Sequence, residues 1–240
     1  EKGVGLAVGT VVRRGYAPGD EKEFGEQAAE LLHLAGKDLA YLLNQGYAIK
    51  GASAFVGNHY QLSERQRLAL VRGISSEESI KKRKARELQN ISAGSIVHID
   101  GFNTIITLET ALSGSVLLRC MDGTIRDLAG LRGTYRLIDK TDRAIRMIGE
   151  TLEKYQAGKA VFYLDSPVSN SGRLKQRLLE LLEGFEFETE AEIMHDVDTV
   201  LKRLDHVVTS DAIILDECGS WFNLNAVIIR EKLGKYPFVD

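Results

Sequence analysis

The chain is poor in the residues that build disulfide frameworks and zinc sites. It has two cysteines, Cys120 and Cys218, which lie far apart and form no Cys-x-x-Cys pair. Such pairs are typical of zinc sites, and sets of cysteines are typical of small secreted scaffolds. The five histidines also lack the spacing of metal ligands. Zinc binding is therefore not expected, and both thiols are predicted to be reduced and partly buried.

Long apolar runs are missing as well. No segment approaches the roughly 18 apolar residues of a membrane span, and the N-terminal residues lack the pattern of a secretory signal. The net charge of −3 excludes a basic surface over the whole molecule, although a local basic patch can still bind nucleic acid. We expect a cytoplasmic globular protein without membrane contact, built from one medium and one small domain.

A change of pattern near residue 90 divides the chain. Residues 1–20 are rich in glycine and are predicted to form an arm or a short strand. Residues 21–90 have helical periodicity throughout and are predicted to form a small all-helical domain. The predicted helices lie at 23–44 and 50–57, after the capping box Ser63-Glu64-Arg65-Gln66, and after Ser75-Ser76.

Strands and helices alternate in residues 91–240, which predicts an α/β domain with a mostly parallel sheet. The predicted strands are 95–100, 115–120, 160–165, 185–189 and 205–209. The predicted helices are 104–112, 139–156, 170–183, 194–203, 211–218 and a last one within 221–234.

Three of the predicted strands end in an aspartate: Asp100, Asp165 and Asp211. If strand 95–100 is central, strands 160–165 and 205–209 are its natural neighbours, and the three carboxylates meet at the edge where α/β sheets bind ligands. Repulsion between such carboxylates is offset by a cation, and all-oxygen ligands suit Mg²⁺ or Mn²⁺. The structural alternative is that each aspartate is a turn former or a helix cap, as Asp211 could be for the helix after it.

Further residues are candidates for the same site. Gly101 would let a ligand approach the backbone closely. Asp198, Asp142, Asp122 and Asp127 are each candidates for a fourth carboxylate, and most of them are expected to be caps or surface residues. The candidates for substrate binding are polar residues near the three strand ends, with an anion expected at the start of the helix after Asp165: Asn103, Thr209, Ser210, Ser169 and Asn170.

The densest basic cluster lies in the predicted helix after Ser76. Its members, which could contact a nucleic-acid backbone, are Lys81, Lys82, Arg83, Lys84 and Arg86. The alternative is a solvated linker helix whose charge is balanced by Glu77, Glu78 and Glu87.

Two short motifs resemble those of NYN nucleases, a branch of the PIN-like superfamily. Ile99-Asp100-Gly101-Phe102-Asn103 resembles their first strand end, and Val207-Val208-Thr209-Ser210-Asp211 resembles a later Ser-x-Asp element, with Asp198 ahead of it. The resemblance covers about residues 94–234. It implies a PIN-like three-layer α/β/α sandwich and Mg²⁺- or Mn²⁺-dependent phosphodiester cleavage, usually of RNA. One departure is Ile213, at a position where those proteins commonly have a second aspartate.

The helical half resembles a different family. Residues 38–47 and 56–62 are similar to the helical module of DUF434, an uncharacterised prokaryotic and often archaeal family that pairs this module with a C-terminal α/β domain. This resemblance implies the two-part organisation and no particular activity.

Three functions follow as hypotheses. The first is a metal-dependent endoribonuclease that uses Asp100, Asp165 and Asp211. The second is a non-catalytic nucleic-acid-binding protein, in which helices 50–57 and 63–73 act as the reader and present Arg65, Arg67 and Arg72. The third is a phosphatase or nucleotide-binding enzyme with a small substrate. A homo-oligomer is compatible with each of them.

Overall fold

The computed structural model describes residues 12–130 and 133–240. Most of the predicted arm or strand, residues 1–11, lies outside the described residues. Residues 12–19 form turns ahead of the first helix. Among the described residues, none of the helices is long and apolar enough to cross a lipid bilayer.

Five helices form the N-terminal part of the chain. They are α1 (Asp20–Phe24), α2 (Glu26–Asn44), α3 (Ile49–His59), α4 (Glu64–Gly73) and α5 (Glu77–Lys84). The apolar faces of α2, α3 and α4 meet in a buried cluster that includes Leu32, Leu39 and Val56, and Phe24 of α1 packs against it. The capping box is confirmed, because the Gln66 N–H donates to Ser63 Oγ and the Ser63 N–H donates to Gln66 Oε1.

The rest of the chain alternates between strands and helices. Its elements are β1 (Glu87–Leu88), β2 (Ile96–Asp100), α6 (Gly101–Leu112), β3 (Leu117–Arg119), β4 (Ile125–Asp127), α7 (Thr141–Lys154), β5 (Lys159–Asp165), α8 (Ser171–Leu182), β6 (Glu188–Met194), α9 (Val197–Leu201), β7 (Val207–Val208), α10 (Ala212–Leu215), β8 (Trp221–Phe222) and α11 (Leu224–Ile228). A π-helical turn, Ile229–Leu233, follows α11.

Six of these strands form one parallel sheet in the order β1-β8-β7-β2-β5-β6. The two faces of the sheet carry different apolar clusters. Phe162 and Leu164 of β5 belong to the larger cluster, with residues of α6, α7 and α8. Val161 and Tyr163 belong to the smaller cluster, with residues of α9 and α10. Helices therefore cover both faces, which is why the central strands are apolar on both sides.

The central position of β2 confirms the arrangement predicted from the strand-ending aspartates. β2 pairs with β5 on one side and with β7 on the other. The chain runs from β2 to β5 and β6, and then returns to build β7 and β8 on the opposite side. This change of direction is a topological switch point, which opens a crevice at the carboxyl end of β2.

Several predicted strands differ from those in the structure. The strand predicted at 115–120 does not continue the parallel sheet: β3 pairs antiparallel with β4 in a separate two-stranded ribbon. Asp122-Gly123 makes the turn, and Gly123 has the positive φ of +87° that a tight turn needs. The strand predicted at 185–189 begins later, at Glu188, and extends to Met194. The apolar residue Phe187, which suggested the earlier start, packs in the core just ahead of the strand.

The antiparallel ribbon joins the helical part to the α/β part. Leu118, Cys120 and Leu128 form a buried cluster with Ala69 of α4. A second connection is made by β1, which extends the sheet by pairing with β8. The helical part thus packs on the α/β part through both apolar and backbone contacts.

Candidate acidic cleft at the carboxyl edge of the sheet

A cleft of about 790 Å³ lies at the carboxyl edge of the sheet, between the helical part and the α/β part. We call it the acidic cleft because six aspartates line it. They are Asp100, Asp127, Asp165, Asp198, Asp211 and Asp216. The helical part provides the facing wall, which includes Tyr47, Ile49, Val71, Arg72, Ser75 and Arg83. Nothing in the local sequence pattern of the helices predicts that they form this wall.

Asp100 ends β2, caps α6 and is only 7% exposed. Its Oδ1 accepts a hydrogen bond from the Asn103 N–H at 3.3 Å, and its Oδ2 accepts one from Thr209 Oγ1 at 2.8 Å. Burial raises the pKa of Asp100 to about 7, and the charges of Asp211 and Asp198 act in the same direction, while the two hydrogen bonds oppose them. The carboxyl group at the switch point is therefore readily protonated near neutral pH.

Asp211 caps a helix, as the structural alternative predicted, and it also lines the cleft. Its Oδ1 accepts from the Ile213 N–H at 2.7 Å at the start of α10. The Asp211 N–H donates to Thr209 Oγ1 at 3.0 Å, and the same hydroxyl donates to Asp100. Thr209 therefore fixes the backbone of Asp211 relative to Asp100.

Asn103 and Ser210 connect the same two strand ends. Asn103 Oδ1 accepts from both the N–H and the Oγ of Ser210, each at 2.9 Å. Both residues line the cleft, whereas Thr209 is buried beside it. Substrate contact by these three residues stays a prediction, since their side chains bond within the protein.

Asp165 and Asp198 complete the carboxylates predicted for the site. Asp165 ends β5, and burial together with the charge of Asp196 raises its pKa. Asp198 lies in the first turn of α9, where partial desolvation and the charges of Asp211 and Asp165 raise its pKa. The charge of Asp211 thus acts on both Asp100 and Asp198, so these groups repel one another when they are ionised.

The positive charges in the acidic cleft are already paired. The guanidinium groups that line it belong to Arg72, Arg83 and Arg126, and each forms an ion pair with an aspartate. In residues 12–130 and 133–240, no ion pair reaches the four predicted carboxylates of Asp100, Asp165, Asp198 and Asp211. The cleft therefore holds uncompensated negative charge whenever they are ionised.

The carboxylates do not converge on one point as their side chains lie. Within the described part of the chain, no three His, Cys, Asp or Glu side chains are grouped closely enough to hold a metal ion. The donors that face the cleft are oxygens of carboxylate, amide and hydroxyl groups. Oxygen donors suit hard cations such as Mg²⁺, which keeps several of its waters and commonly takes only one or two protein carboxylates.

Three predicted site residues lie elsewhere. Asp142 is bound to Arg177, with Arg177 Nε at 2.8 Å, and this hydrogen bond lowers the pKa of Asp142. Ser169 and Asn170 line a different cavity and bond to the backbone of Tyr135. Ser169 and Asn170 do not reach the acidic cleft, because the segment after Asp165 turns toward Tyr135. Asp142 does not reach it either, since it lies at the start of α7 and pairs with Arg177 of α8.

Gly101 also has a structural role. A Cβ at this position would lie 2.6 Å from Leu164 Cδ2 and 3.0 Å from the Tyr163 carbonyl oxygen. The absence of a side chain thus lets α6 pack closely on β5. This packing explains the glycine without a ligand, and close ligand approach at Gly101 stays a prediction.

The basic cluster is not a continuous charged face. Arg83 is 3% exposed and its guanidinium binds Asp122 and Asp216, both at 2.7 Å, so it is not available to a nucleic-acid backbone. Lys84 pairs with Glu87 at 2.7 Å, and Arg86 donates to the Asp216 carbonyl oxygen. Lys81 and Lys82 are also exposed. Lys81 lies 4.0 Å from Glu77, which is a long distance for an ion pair.

The proposed reader helices use their arginines within the protein. Arg65 binds Asp20 at 2.5 Å, and Arg67 donates to the Gly57 carbonyl oxygen at 2.7 Å. Arg72 lies 3.6 Å from Asp127. These arginines hold the helical part together and join it to the antiparallel ribbon, rather than pointing into solvent.

Asp122 accepts from the Thr124 N–H two residues on, as a turn former does, but it is not a surface residue. It is fully buried, and it accepts hydrogen bonds from Arg83 and Arg126 at 2.7 and 2.6 Å. Burial alone would raise its pKa, but Arg126, Thr124 and Arg83 hold the pKa of Asp122 below its usual range. Arg126 in turn donates to the Ser210 carbonyl oxygen at 2.6 Å, so this network supports the acidic cleft.

The raised pKa of Asp100 predicts a pH-dependent loss of stability. Between its usual value of 3.8 and about 7, the folded state binds a proton at Asp100 that the unfolded state has released. The contribution of Asp100 to the free energy of unfolding therefore falls as pH rises through this window. The free energy of unfolding of Asp100→Asn, measured relative to that of wild type, should therefore rise by about 2–3 kcal/mol between pH 4 and pH 8. This is less than the full pKa shift would give at ~1.36 kcal/mol per pKa unit, because water can enter the cleft. Urea unfolding of both proteins across this range measures the difference, and parallel profiles would contradict it.

Comparison with known proteins agrees with the two-part organisation. Residues 31–86 match the family model described as a protein of unknown function, DUF434, and residues 89–227 match the domain of unknown function DUF5616. The uncharacterized protein MJ0935 of Methanocaldococcus jannaschii is 38% identical over 183 residues, which cover 75% of this chain and 87% of that protein. No solved structure matches the chain. The resemblance of the helical part to DUF434 is confirmed.

Proposed function

The chain belongs to the family that carries the DUF5616 domain, here behind a DUF434 module, and we propose that it is a metal-dependent endoribonuclease with a PIN-like α/β domain. The observation that carries the proposal is the set of unpaired aspartates at the switch point of the sheet. Asp100, Asp165, Asp198 and Asp211 line one cleft. Besides burial, the charges of Asp211 and Asp198 raise the pKa of Asp100, and the charges of Asp211 and Asp165 raise the pKa of Asp198. An enzyme that binds a phosphodiester in such a cleft needs a cation to offset their charge.

The oxygen donors of the acidic cleft fit Mg²⁺ or Mn²⁺. Asp100 and Asp211 would hold the ion, because Thr209 fixes both of them, and Asp165 and Asp198 would hold its waters or a second ion. When bound, such an ion polarises the phosphate and supplies a hydroxide near neutral pH. Asn103 and Ser210, which line the cleft between Asp100 and Asp211, would orient the substrate.

RNA is favoured over a small substrate by the walls of the cleft. Tyr47 is 62% exposed there, and Val71 and Ile213 are 41% and 56% exposed. Exposed aromatic and apolar groups beside carboxylates suit unpaired bases, which stack on such surfaces. The third hypothesis, a small phosphate ester, is kept as a second candidate because a volume of about 790 Å³ lies within the range of small-molecule cavities.

The proposal is tested by incubating the full chain with an end-labelled single-stranded RNA in Mn²⁺, in Mg²⁺ and in EDTA. We expect internal cleavage in the presence of either cation and none in EDTA. A single-stranded DNA of the same sequence and p-nitrophenyl phosphate test the other substrate classes, and calorimetric titration with Mn²⁺ measures cation binding directly. Cation binding with hydrolysis of the small ester alone would support the second candidate. Absence of RNA cleavage in both Mn²⁺ and Mg²⁺ would overturn the nuclease proposal, and absence of cation binding would overturn its metal site.

A further inference from the structure

A second cavity, of about 690 Å³, has the opposite charge to the acidic cleft. We call it the arginine cavity, because Arg13, Arg14, Arg65 and Arg136 line it and no carboxylate of the described residues does. Ala129 lines both this cavity and the acidic cleft. The two cavities are thus neighbours that share a wall.

Two of the four arginines are neutralised by buried acids. Arg14 Nε binds Glu109 at 2.9 Å, and Arg65 binds Asp20 at 2.5 Å. Replacing either arginine would leave a buried carboxylate unpaired. The structural role of Arg14 and Arg65 is therefore sufficient to explain their presence in this cavity.

The other two arginines have no such partner. Arg13 is exposed, lies over the ring of Tyr16 at 3.9 Å and donates to the carbonyl oxygens of Ser113 and Gly114. Arg136 is exposed as well. Neither forms an ion pair with a carboxylate of the described residues. Within residues 12–130 and 133–240, these two positive charges of the arginine cavity are therefore uncompensated.

Two more features of the arginine cavity suit a nucleic-acid strand. Tyr16, which lines it, is 48% exposed. Asn170 is the N-cap residue of α8, whose N-terminal end adds a partial positive charge. A groove that combines positive charge with exposed aromatic rings is typical of proteins that bind single-stranded nucleic acid.

We propose that the arginine cavity binds the phosphodiester backbone of a single-stranded RNA whose adjoining nucleotides occupy the acidic cleft. The identity of the strand as substrate rests on the proposed function, whereas the binding of its phosphates by Arg13 and Arg136 does not. Arg13 and Arg136 each contact one phosphate. The acidic cleft alone repels the strand, so the arginine cavity provides the attraction that holds it there.

The test is the salt dependence of RNA binding by the double variant Arg13→Gln/Arg136→Gln. Binding of a labelled single-stranded RNA is followed by fluorescence anisotropy in Ca²⁺ over a series of salt concentrations. Each phosphate contact contributes about 0.7 to the slope of log Kd against log salt for single strands, so the loss of two contacts should lower the slope by about 1.4. Affinity at low salt should fall roughly tenfold or more. Arg230→Gln is the matched control, since Arg230 is exposed on the π-helical turn and lines neither cavity.

Failure of this inference can be told apart from failure of the proposed function. A wild-type slope in the double variant would overturn the inference, even if Mn²⁺-dependent cleavage were observed. A reduced slope without any cleavage would support the arginine cavity while overturning the nuclease assignment. No measurable RNA binding by the wild-type chain would overturn the arginine cavity as an RNA site.

Discussion

Asp100→Asn should lower Mn²⁺-dependent RNA cleavage by roughly 10³-fold, the upper end of what the loss of one electrostatic stabiliser costs. Such a loss raises the activation free energy by about 4 kcal/mol, at ~1.36 kcal/mol per factor of ten. The substitution removes the charge but keeps the shape, so an amide oxygen can still accept from Thr209 as Asp100 Oδ2 does at 2.8 Å. At neutral pH the variant should therefore fold and gain the stability expected from the raised pKa of Asp100, while the charge that would hold the cation is lost.

Asp142→Asn is the matched control for this prediction. Asp142 was a candidate for the same site, but it binds Arg177 away from the acidic cleft. Cleavage rates of the two variants and of wild type, measured under single-turnover conditions with circular dichroism as the check on folding, distinguish the cases. Equal rates for Asp100→Asn and wild type would remove Asp100 from the mechanism. A large loss of cleavage rate in Asp142→Asn would instead contradict the assignment of cleavage to the carboxylates of the acidic cleft.

Asp122→Ala should lower the free energy of unfolding by about 3–5 kcal/mol, the cost of removing one partner from a buried ion pair. Asp122 is fully buried and accepts from Arg83, Arg126 and Thr124. The alanine variant leaves Arg126 without its carboxylate and leaves Arg83 with Asp216 alone. Desolvated guanidinium groups would then lack part of the charge that stabilises them.

Equilibrium unfolding in urea measures this loss, with Asp139→Ala as the control. Asp139 also forms an ion pair, with Lys140 at 2.6 Å, but its side chain is 54% exposed. Exposed pairs contribute at most about 1 kcal/mol, so the control should be close to wild type. Similar losses in both variants would show that burial of the Asp122 network does not determine its contribution.

The sheet could be predicted because its strands carry their own hydrophobic signal. β2 and β5 are apolar runs that end in Asp100 and Asp165, and the central place of β2 follows from the rules that govern parallel α/β sheets. The site could be predicted only where its residues belong to this strand pattern. Asp211 and Asp198 reach the cleft from elements that follow the pattern, whereas Asp142 lies on a long helix whose start faces Arg177 instead.

The second wall of the cleft could not be predicted, because it depends on contacts between distant parts of the chain. Arg83 and Lys82 are neighbours in one basic run, and nothing local tells them apart. Arg83 is buried because Asp122 and Asp216, which are 39 and 133 residues away, meet it from the antiparallel ribbon and from the end of α10. Charge patterns within one helix do not contain that information.

Trp221 gives the protein a built-in optical reporter. It is the chain's single tryptophan, it is fully buried, and its indole N–H donates to the Arg83 carbonyl oxygen while its backbone N–H donates to that of Arg86. The fluorophore therefore sits at the seam where the end of α5 meets strand β8. Intrinsic emission excited at the tryptophan band will follow separation of the two parts of the chain, without any label attached to either.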